Sequence, residues 1–285
     1  MKKGEIVVLS LFDGMSCGRI ALDRAGIKVK KYYASEIDKY AQIVSAANYP
    51  DIIRLGDITK WKEWKIEKPD VIIGGSPCQG FSFAGKGLNF HDERSKLFFT
   101  FVDILKHYKP KYFLLENVKM KKEYQKVISD CLGVESIEIN SALVSAQNRK
   151  RLYWTNIPGV TQPKDKGILL KDIIEKERIK CAEITDRFYK KQVGTLAYIN
   201  ARKNIRKISQ KSKTLTASGQ NISNAGATNL FITSKYIRQL TLLECERLQT
   251  VPDNFTAHVS NTQRYKMLGN GWTVDVIAHI FRRLK

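Results

Sequence analysis

Three stretches hold side chains whose types and spacing could carry out chemistry. In Gly74-Gly75-Ser76-Pro77-Cys78-Gln79-Gly80-Phe81-Ser82 a single cysteine follows a proline among small residues, and Gly80, Gly85 and Gly87 give the segment freedom to move over a substrate. A free thiol is only about a few per cent thiolate at neutral pH, so a nucleophilic Cys78 needs positive charge, aligned amides or a base beside it. Without such a setting a lone cysteine is a small buried hydrophobe. Glu116 follows Phe113-Leu114-Leu115 and precedes Asn117-Val118. Partial desolvation suits such a carboxyl to donating or sharing a proton, and capping a helix is its structural alternative. Gln147-Asn148-Arg149-Lys150-Arg151 sets Arg149 and Arg151 at alternate positions, on one face of an extended segment, where they can hold a phosphate or a ring oxygen.

A fourth stretch reads as a ligand turn. Phe12-Asp13-Gly14-Met15-Ser16-Cys17-Gly18 links a strand to a helix through small residues. Its glycines let a ligand approach the backbone, but the spacing is not G-x-G-x-x-G, so a pyrophosphate clamp is not specified. Glu36 lies about 20 residues further on, where nucleoside-binding folds of this architecture keep a ribose-binding carboxylate. Asp57 follows the next strand. Each acid can equally be a surface group or a helix cap; together with the turn they describe a pocket for an adenosine-bearing cofactor.

The elements that must position these residues alternate. Strands are expected at Ile6–Leu11, Val29–Ser35, Ile52–Leu55, Val71–Ile73 and Tyr112–Leu115, and helices at Gly18–Ala25, Asp38–Ala47 and Lys96–His107. Such alternation predicts an α/β fold with a parallel sheet covered on both faces, whose ligands bind beyond the carboxyl ends of the strands. Ile137–Val144 and Leu152–Ile157 read as a closing hairpin. From Pro158 to about Lys235 the chain is irregular, and between Arg187 and Leu243 it carries eleven basic residues and no acidic one. That window is either a second, smaller domain with a phosphate-facing surface or a solvated basic loop region. Helices return at Leu242–Leu248 and Val274–Leu284.

The whole chain has the same bias. Among 285 residues, 49 Lys and Arg against 28 Asp and Glu leave a net charge of +21, which points to a polyanionic partner and away from small neutral substrates. With 43% hydrophobic residues, global disorder is excluded. The five cysteines are scattered, without a Cys-x-x-Cys pair, and the four histidines lack metal-ligand spacing, so neither a disulfide framework nor a bound metal is expected and a reducing cytoplasm fits. A secretory signal is not expected, because Asp13 ends the first apolar run and no small-residue cleavage site follows, and no stretch reaches the roughly 18 apolar residues of a membrane span.

A strand-end Pro77-Cys78, a Glu116-Asn117-Val118, a Gln147-x-Arg149-x-Arg151 and a late Gly269-Asn270, in that order on this topology, resemble the DNA cytosine-5 methyltransferases. The resemblance implies a Rossmann-like S-adenosylmethionine-dependent methyltransferase fold. Residues 1–157, completed by 238–285, form its catalytic and cofactor-binding domain, and 158–237 a smaller target-recognition domain. It implies that Cys78 attacks carbon 6 of an extruded cytosine, that Glu116 engages ring nitrogen 3 and the exocyclic amine, and that Arg151 with Arg149 holds the ring oxygen and the surroundings of the nucleophile. The loop from Gln79 to Ser95, with Arg94 and Lys96 available for phosphates, is expected to close behind the base. S-adenosyl-L-methionine is expected against Phe12, Asp13, Gly14, Met15, Ser16, Glu36, Ile37, Asp57, Ile58, Pro77, Leu97, Asn270 and Trp272. Arg238 to Pro252 resembles the family motif that organises the recognition domain. The turn departs from many bacterial relatives in carrying Asp13, Met15 and Cys17.

The resemblance implies double-stranded DNA as partner, a compact bacterial or phage-encoded monomer working in the cytoplasm, and the possibility of a cognate restriction endonuclease. Transfer RNA is the alternative substrate, although the Cys-Phe-Thr signature of that branch is missing from the second domain. A DNA-binding scaffold without catalysis would be marked by loss of Cys78 or Glu116, and both are present.

Overall fold

The computed structural model describes residues 4–76, 93–175, 205–217, 230–232 and 237–284. The chain divides into two compact units, one of residues 1–139, 150–162 and 276–285 and the other of residues 140–149 and 163–275. Residues 238–275, assigned from sequence to the catalytic domain, lie within the second unit.

The first unit is built on β1 (Ile6–Leu11), β2 (Val29–Ser35), β3 (Ile53–Arg54), β4 (Val71–Gly75), β5 (Tyr112–Val118), β6 (Ser136–Asn140) and β7 (Lys150–Thr155). Helices α1 (Cys17–Arg24), α2 (Lys39–Asn48), α3 (Glu93–Tyr108) and α4 (Lys122–Leu132) connect them, with a 3-10 helix at Ile58–Glu63. The strands form one sheet in the order β3-β2-β1-β4-β5-β7-β6. β1 pairs in parallel with β2 and β4, and β4 with β5, whereas β7 runs antiparallel to β5. β1 and β4 read as nearly continuous apolar runs, broken in β1 only by the buried Ser10, because both their faces are covered, and Leu9, Leu11, Ile72 and Ile73 are fully buried.

This order places a topological switch at β1, from which the chain leaves first to β2 and later to β4. A crevice outside the carboxyl ends of β1 and β4 is the expected ligand position in such a sheet. α1 begins directly beyond β1, and Asp38 caps α2 by accepting from the amides of Tyr40 and Ala41. Two sequence expectations are revised. Glu116 lies inside β5 rather than after it, because pairing with β7 carries the strand on to Val118. Residues 93–95, expected in the mobile loop, form the first turn of α3.

The second unit contains a short helix α5 (Leu170–Ile173), a three-stranded sheet of β8 (Ile205–Lys207), β9 (Leu230–Ile232) and β10 (Ile237–Gln239), and helices α6 (Leu242–Leu248) and α7 (Asn261–Asn270). α6 opens with a capping box in which the Thr241 hydroxyl accepts from the Glu244 amide and the Glu244 carboxylate accepts from the Thr241 amide. A last helix, α8 (Val274–Phe281), belongs from residue 276 onward to the first unit, and all its apolar residues are buried.

Packing at the switch is tight. A Cβ added to Gly74 of β4 would stand 2.9 Å from the Leu11 carbonyl oxygen and 3.0 Å from the Phe101 ring. Gly74→Ala is therefore expected to destabilise the protein by about 1–3 kcal/mol in urea unfolding, because a strand backbone cannot yield as a flexible side chain can. A neutral effect would contradict this packing.

Candidate active site

Beyond β1 the chain takes an unusual path. Phe12, Gly14 and Ser16 all have positive φ, at 58°, 60° and 66°. Two of these are residues with a Cβ, for which the left-handed region is costly, so the turn must be held by its surroundings. The Asp13 amide donates to the Ser35 carbonyl at 3.1 Å and the Gly14 amide to Glu36 Oε2 at 2.8 Å. Glu36 Oε1 accepts from the amides of Ile37 and Asp38 at 2.8 and 2.7 Å. Three of a carboxylate's roughly four acceptor directions are thus engaged with backbone, which fixes the group and leaves it able to take a hydroxyl.

The other residues expected at the cofactor divide by burial. Asp13, Met15, Ser16 and Ile58 are buried, so only their backbones are available to a ligand. Phe12 and Glu36 are half-buried, and the Ile37 side chain stands 74% exposed beside Glu36, an apolar face open to a planar group. Asp57 caps the 3-10 helix by accepting from the Thr59 amide at 2.9 Å, and that bond holds its carboxyl below the ordinary range. Leu97 is half-buried on α3. A turn of close-approaching backbone, a fixed carboxylate, an exposed aliphatic side chain and an ionised Asp57 fit the parts of an adenosyl cofactor with a cationic centre.

Glu116 sits on β5 with 9% of its surface exposed, and its Oε1 meets Arg151 Nε at 3.0 Å. The register accounts for this contact. Glu116 lies opposite Tyr153 and Val118 opposite Arg151, so Glu116 and Arg151 are diagonal neighbours on one face, a spacing that an arginine spans. On its other side Glu116 is in register with Gly75, the last residue of β4. The buried Asn117 donates from Nδ2 to Ser76 Oγ at 3.1 Å, fixing the chain where it leaves β4. Sequence reasoning gave Asn117 no such role. Pro77, Cys78 and the segment to Asp92 lie outside the described residues.

The two arginines of the alternating motif do not act together on one face. Arg151 belongs to β7, while Arg149 precedes that strand and is buried in the second unit. There its guanidinium donates to the carbonyls of Leu215 at 2.8 Å, Gly269 at 3.1 Å and Gly271 at 2.9 Å. The last two carbonyls belong to the C-terminal end of α7, which lacks intrahelical partners and favours a cation. Gln249 adds bonds to the carbonyls of Leu268 and Gly271, and Gln147 joins Gln249 while accepting from the Leu215 amide. Asn270, exposed at the end of α7, and the half-buried Trp272 are thus carried on a backbone clamped by Arg149 and Gln249. Gly269 is needed in that clamp, because a Cβ there would stand 2.3 Å from the Thr216 backbone.

Among the described residues no group of His, Cys, Asp and Glu could hold a metal ion, and no helix is long and apolar enough to cross a membrane.

A seven-stranded, mostly parallel α/β sheet with helices connecting its strands and one antiparallel strand beside β5 is a Rossmann-like methyltransferase fold. The sequence matches the C-5 cytosine-specific DNA methylase family over residues 6–157 and 135–285. It is 32% identical over 314 residues to type II methyltransferase M1.ScrFI of Lactococcus lactis subsp. cremoris, covering 99% of this chain and 79% of that protein. It is 28% identical over 303 residues to type II methyltransferase M.HhaI of Haemophilus parahaemolyticus, covering 95% and 92%. Among solved structures, the Entamoeba histolytica methyltransferase EhMeth shares the fold with a TM-score of 0.76 at 18% identity, covering 99% of both chains. The S. pombe Dnmt2 methyltransferase does so with a TM-score of 0.73 at 18% identity over 97% of both. The chain belongs to the C-5 cytosine-specific DNA methylase family, whose members are S-adenosylmethionine-dependent methyltransferases.

The division between the arginines is testable by stability. Arg149→Met leaves three carbonyls without their donor and is expected to lower the unfolding free energy in urea by about 3 kcal/mol. A loss below about 1 kcal/mol would contradict the clamp.

Proposed function

We propose that this protein transfers a methyl group from S-adenosylmethionine to carbon 5 of a cytosine extruded from duplex DNA, through a covalent bond between Cys78 Sγ and carbon 6. The observation that carries this reading is the buried pair of Glu116 and Arg151, in register with Gly75 at the end of the strand that leads through Ser76 to Pro77-Cys78. Family membership supports it. The excess of basic over acidic residues and the acid-free window of the second unit support a polyanionic substrate.

Carbon 5 of cytosine is a poor nucleophile. Addition of the Cys78 thiolate to carbon 6 forms the S–C bond and shifts the double-bond pair toward carbon 5 and ring nitrogen 3. A proton from Glu116 received at nitrogen 3 neutralises that charge. Arg151 orients Glu116 through Nε, and its further donors can meet the ring oxygen, stabilising charge where it develops. When bound, S-adenosylmethionine supplies an electrophilic methyl group to carbon 5. Loss of the carbon 5 proton to solvent and return of the C–S pair to sulfur restore the ring, while nitrogen 3 gives its proton back to Glu116.

The cofactor would rest on the backbone of Asp13 to Ser16, with its ribose on Glu36 and its adenine between Phe12 and Ile37, near Ile58, its amine toward Asp57. Pro77 and Leu97, and Asn270 and Trp272 of the second unit, complete the set carried over from the family resemblance. Arg149 takes part as the clamp of Asn270 and Trp272. The type II methyltransferase names of the relatives support a cognate restriction endonuclease as a further partner.

Transfer of radiolabelled methyl to duplex DNA, with transfer RNA as the competing acceptor, tests the reading. Label is expected in DNA, and both Cys78→Ser and Glu116→Gln are expected to lower incorporation at least about 100-fold. Label confined to transfer RNA would overturn the DNA assignment, and full activity of Cys78→Ser would overturn the covalent route.

A further inference from the structure

Behind the turn that we read as the cofactor site lies a polar network that the reaction itself does not use. Asp13 is buried, yet its carboxylate accepts from the Tyr32 hydroxyl at Oδ1 and from the Ser16 hydroxyl at Oδ2, at 2.7 and 2.5 Å. The Ser16 and Ser45 hydroxyls are 2.7 Å apart, and Arg54 Nη2 donates to Ser45 Oγ at 3.2 Å. A hydroxyl has one proton, and that of Ser16 goes to the carboxylate, so Ser45 must donate to Ser16. The chain is one-way: Arg54 to Ser45 to Ser16 to Asp13.

Four elements meet here. β1 contributes Ser10, which adds a further hydrogen bond to Asp13, and β2 contributes Tyr32, with Glu36 just beyond its end. α2 contributes Ser45 and β3 contributes Arg54, while Cys17 of α1 lies in the electrostatic surroundings of Tyr32. Burial, and next the charge of Asp13, hold the Tyr32 phenol well above its ordinary range, so it remains a donor. Arg54 Nε is buried with no hydrogen-bond partner among the described residues, an arrangement that an apolar side chain at this position would avoid.

We propose that Asp13 is a positioning residue: its carboxylate, held by the Arg54–Ser45–Ser16 chain and by Tyr32, keeps the Phe12–Ser16 turn in the shape that receives the sulfonium cofactor, and cofactor affinity falls when that carboxylate is neutralised. The inference rests on the cofactor reading above and adds the group that sets the turn. Ser16 is at once a link of the chain and one of the positive-φ residues, and Asp13 lies between two of them, so the network acts on the strained backbone directly. Neutralising Asp13 weakens it as an acceptor and also removes a negative charge behind a site for a cation.

The change falls in an accessible range. Burial, opposed by the hydrogen bonds from Ser10, Ser16 and Tyr32 and aided by the charge of Glu36, raises the Asp13 carboxyl from its ordinary 3.8 to about 6. The sign follows from that rise. The contribution of Asp13 to apo stability is greatest below pH 3.8 and is lost as the pH climbs through about 6, so at neutral pH the fold carries an ion that it would rather protonate. A cationic ligand reverses that preference, and binding should be tight only where the group is ionised.

Calorimetric titration of S-adenosylmethionine into the full chain between pH 5 and pH 8 tests this. Wild-type affinity is expected to fall about tenfold from pH 7 to pH 5, the fraction ionised for a group titrating near pH 6. Asp13→Asn is expected to bind weakly with a flat profile, once the cofactor's own titration, common to both proteins, is subtracted. Ser45→Ala, which cuts the chain without touching the carboxylate, should raise KM for the cofactor and leave kcat at saturation unchanged. A wild-type affinity independent of pH, an Asp13→Asn protein with the wild-type profile, or an unchanged KM for Ser45→Ala overturns the positioning role and leaves the cofactor reading standing. Wild-type protein that binds no S-adenosylmethionine at any pH overturns both.

Discussion

The direction of β7 is the constraint on which the rest depends. In a sheet of parallel strands every carboxyl end lies at one edge, and a further parallel strand would bring its own carboxyl end there too. Because β7 runs antiparallel to β5, its amino end arrives instead, and with it Arg151. Glu116 can then stay nine-tenths buried and still meet a cation at 3.0 Å. An isolated charge at that depth would carry a large desolvation cost, so the arginine is what lets an acidic side chain sit in an apolar wall. The register that sets the pair also aligns Glu116 with Gly75, and Asn117 ties the chain at Ser76, two residues before Cys78.

A second theme recurs in both units: buried charge shapes backbone. In the first, Asp13 and Arg54 are joined through two hydroxyls beneath a turn whose alternate residues have positive φ. In the second, Arg149 and Gln249 gather carbonyls at the end of α7, and Gly269 lets the 216–217 backbone approach where no side chain fits. Both arrangements hold the main chain next to residues expected to touch a ligand, while the charged groups themselves stay out of reach.

Much of the framework was legible in the sequence. Short runs rich in β-branched and aromatic residues such as Ile6–Leu11 and Val29–Ser35 mark strands, and their boundaries agree with the structure to the residue. Ile53–Arg54 is shorter than its expected span because only those two residues pair with β2. α4 went unread although Tyr124, Val127, Ile128 and Cys131 form a helical stripe, since lysine-rich surroundings mask it. α7 has almost no such stripe, and its path is set by the Arg149 and Gln249 clamp. The alternation of Arg149 and Arg151 suggested a shared face, but alternation fixes a face only within one strand, and Arg149 lies before β7 begins. Tyr32, Ser45 and Arg54 could not be singled out, because nothing local marks a tyrosine in a buried strand or a serine in a helix as partners of an acid more than fifteen residues away.

The central claim is that Cys78 bonds transiently to a cytosine whose ring Glu116 and Arg151 hold. Duplex oligonucleotides carrying 5-fluorocytosine test it most directly, because fluorine at carbon 5 cannot leave as a proton and the adduct persists. Incubation with S-adenosylmethionine, followed by denaturing electrophoresis and peptide mass mapping, should give a stable protein–DNA complex with the added mass on the peptide containing Cys78. Failure to trap any complex on DNA that the enzyme methylates in its unfluorinated form, or an adduct mapped to another residue, would contradict the account.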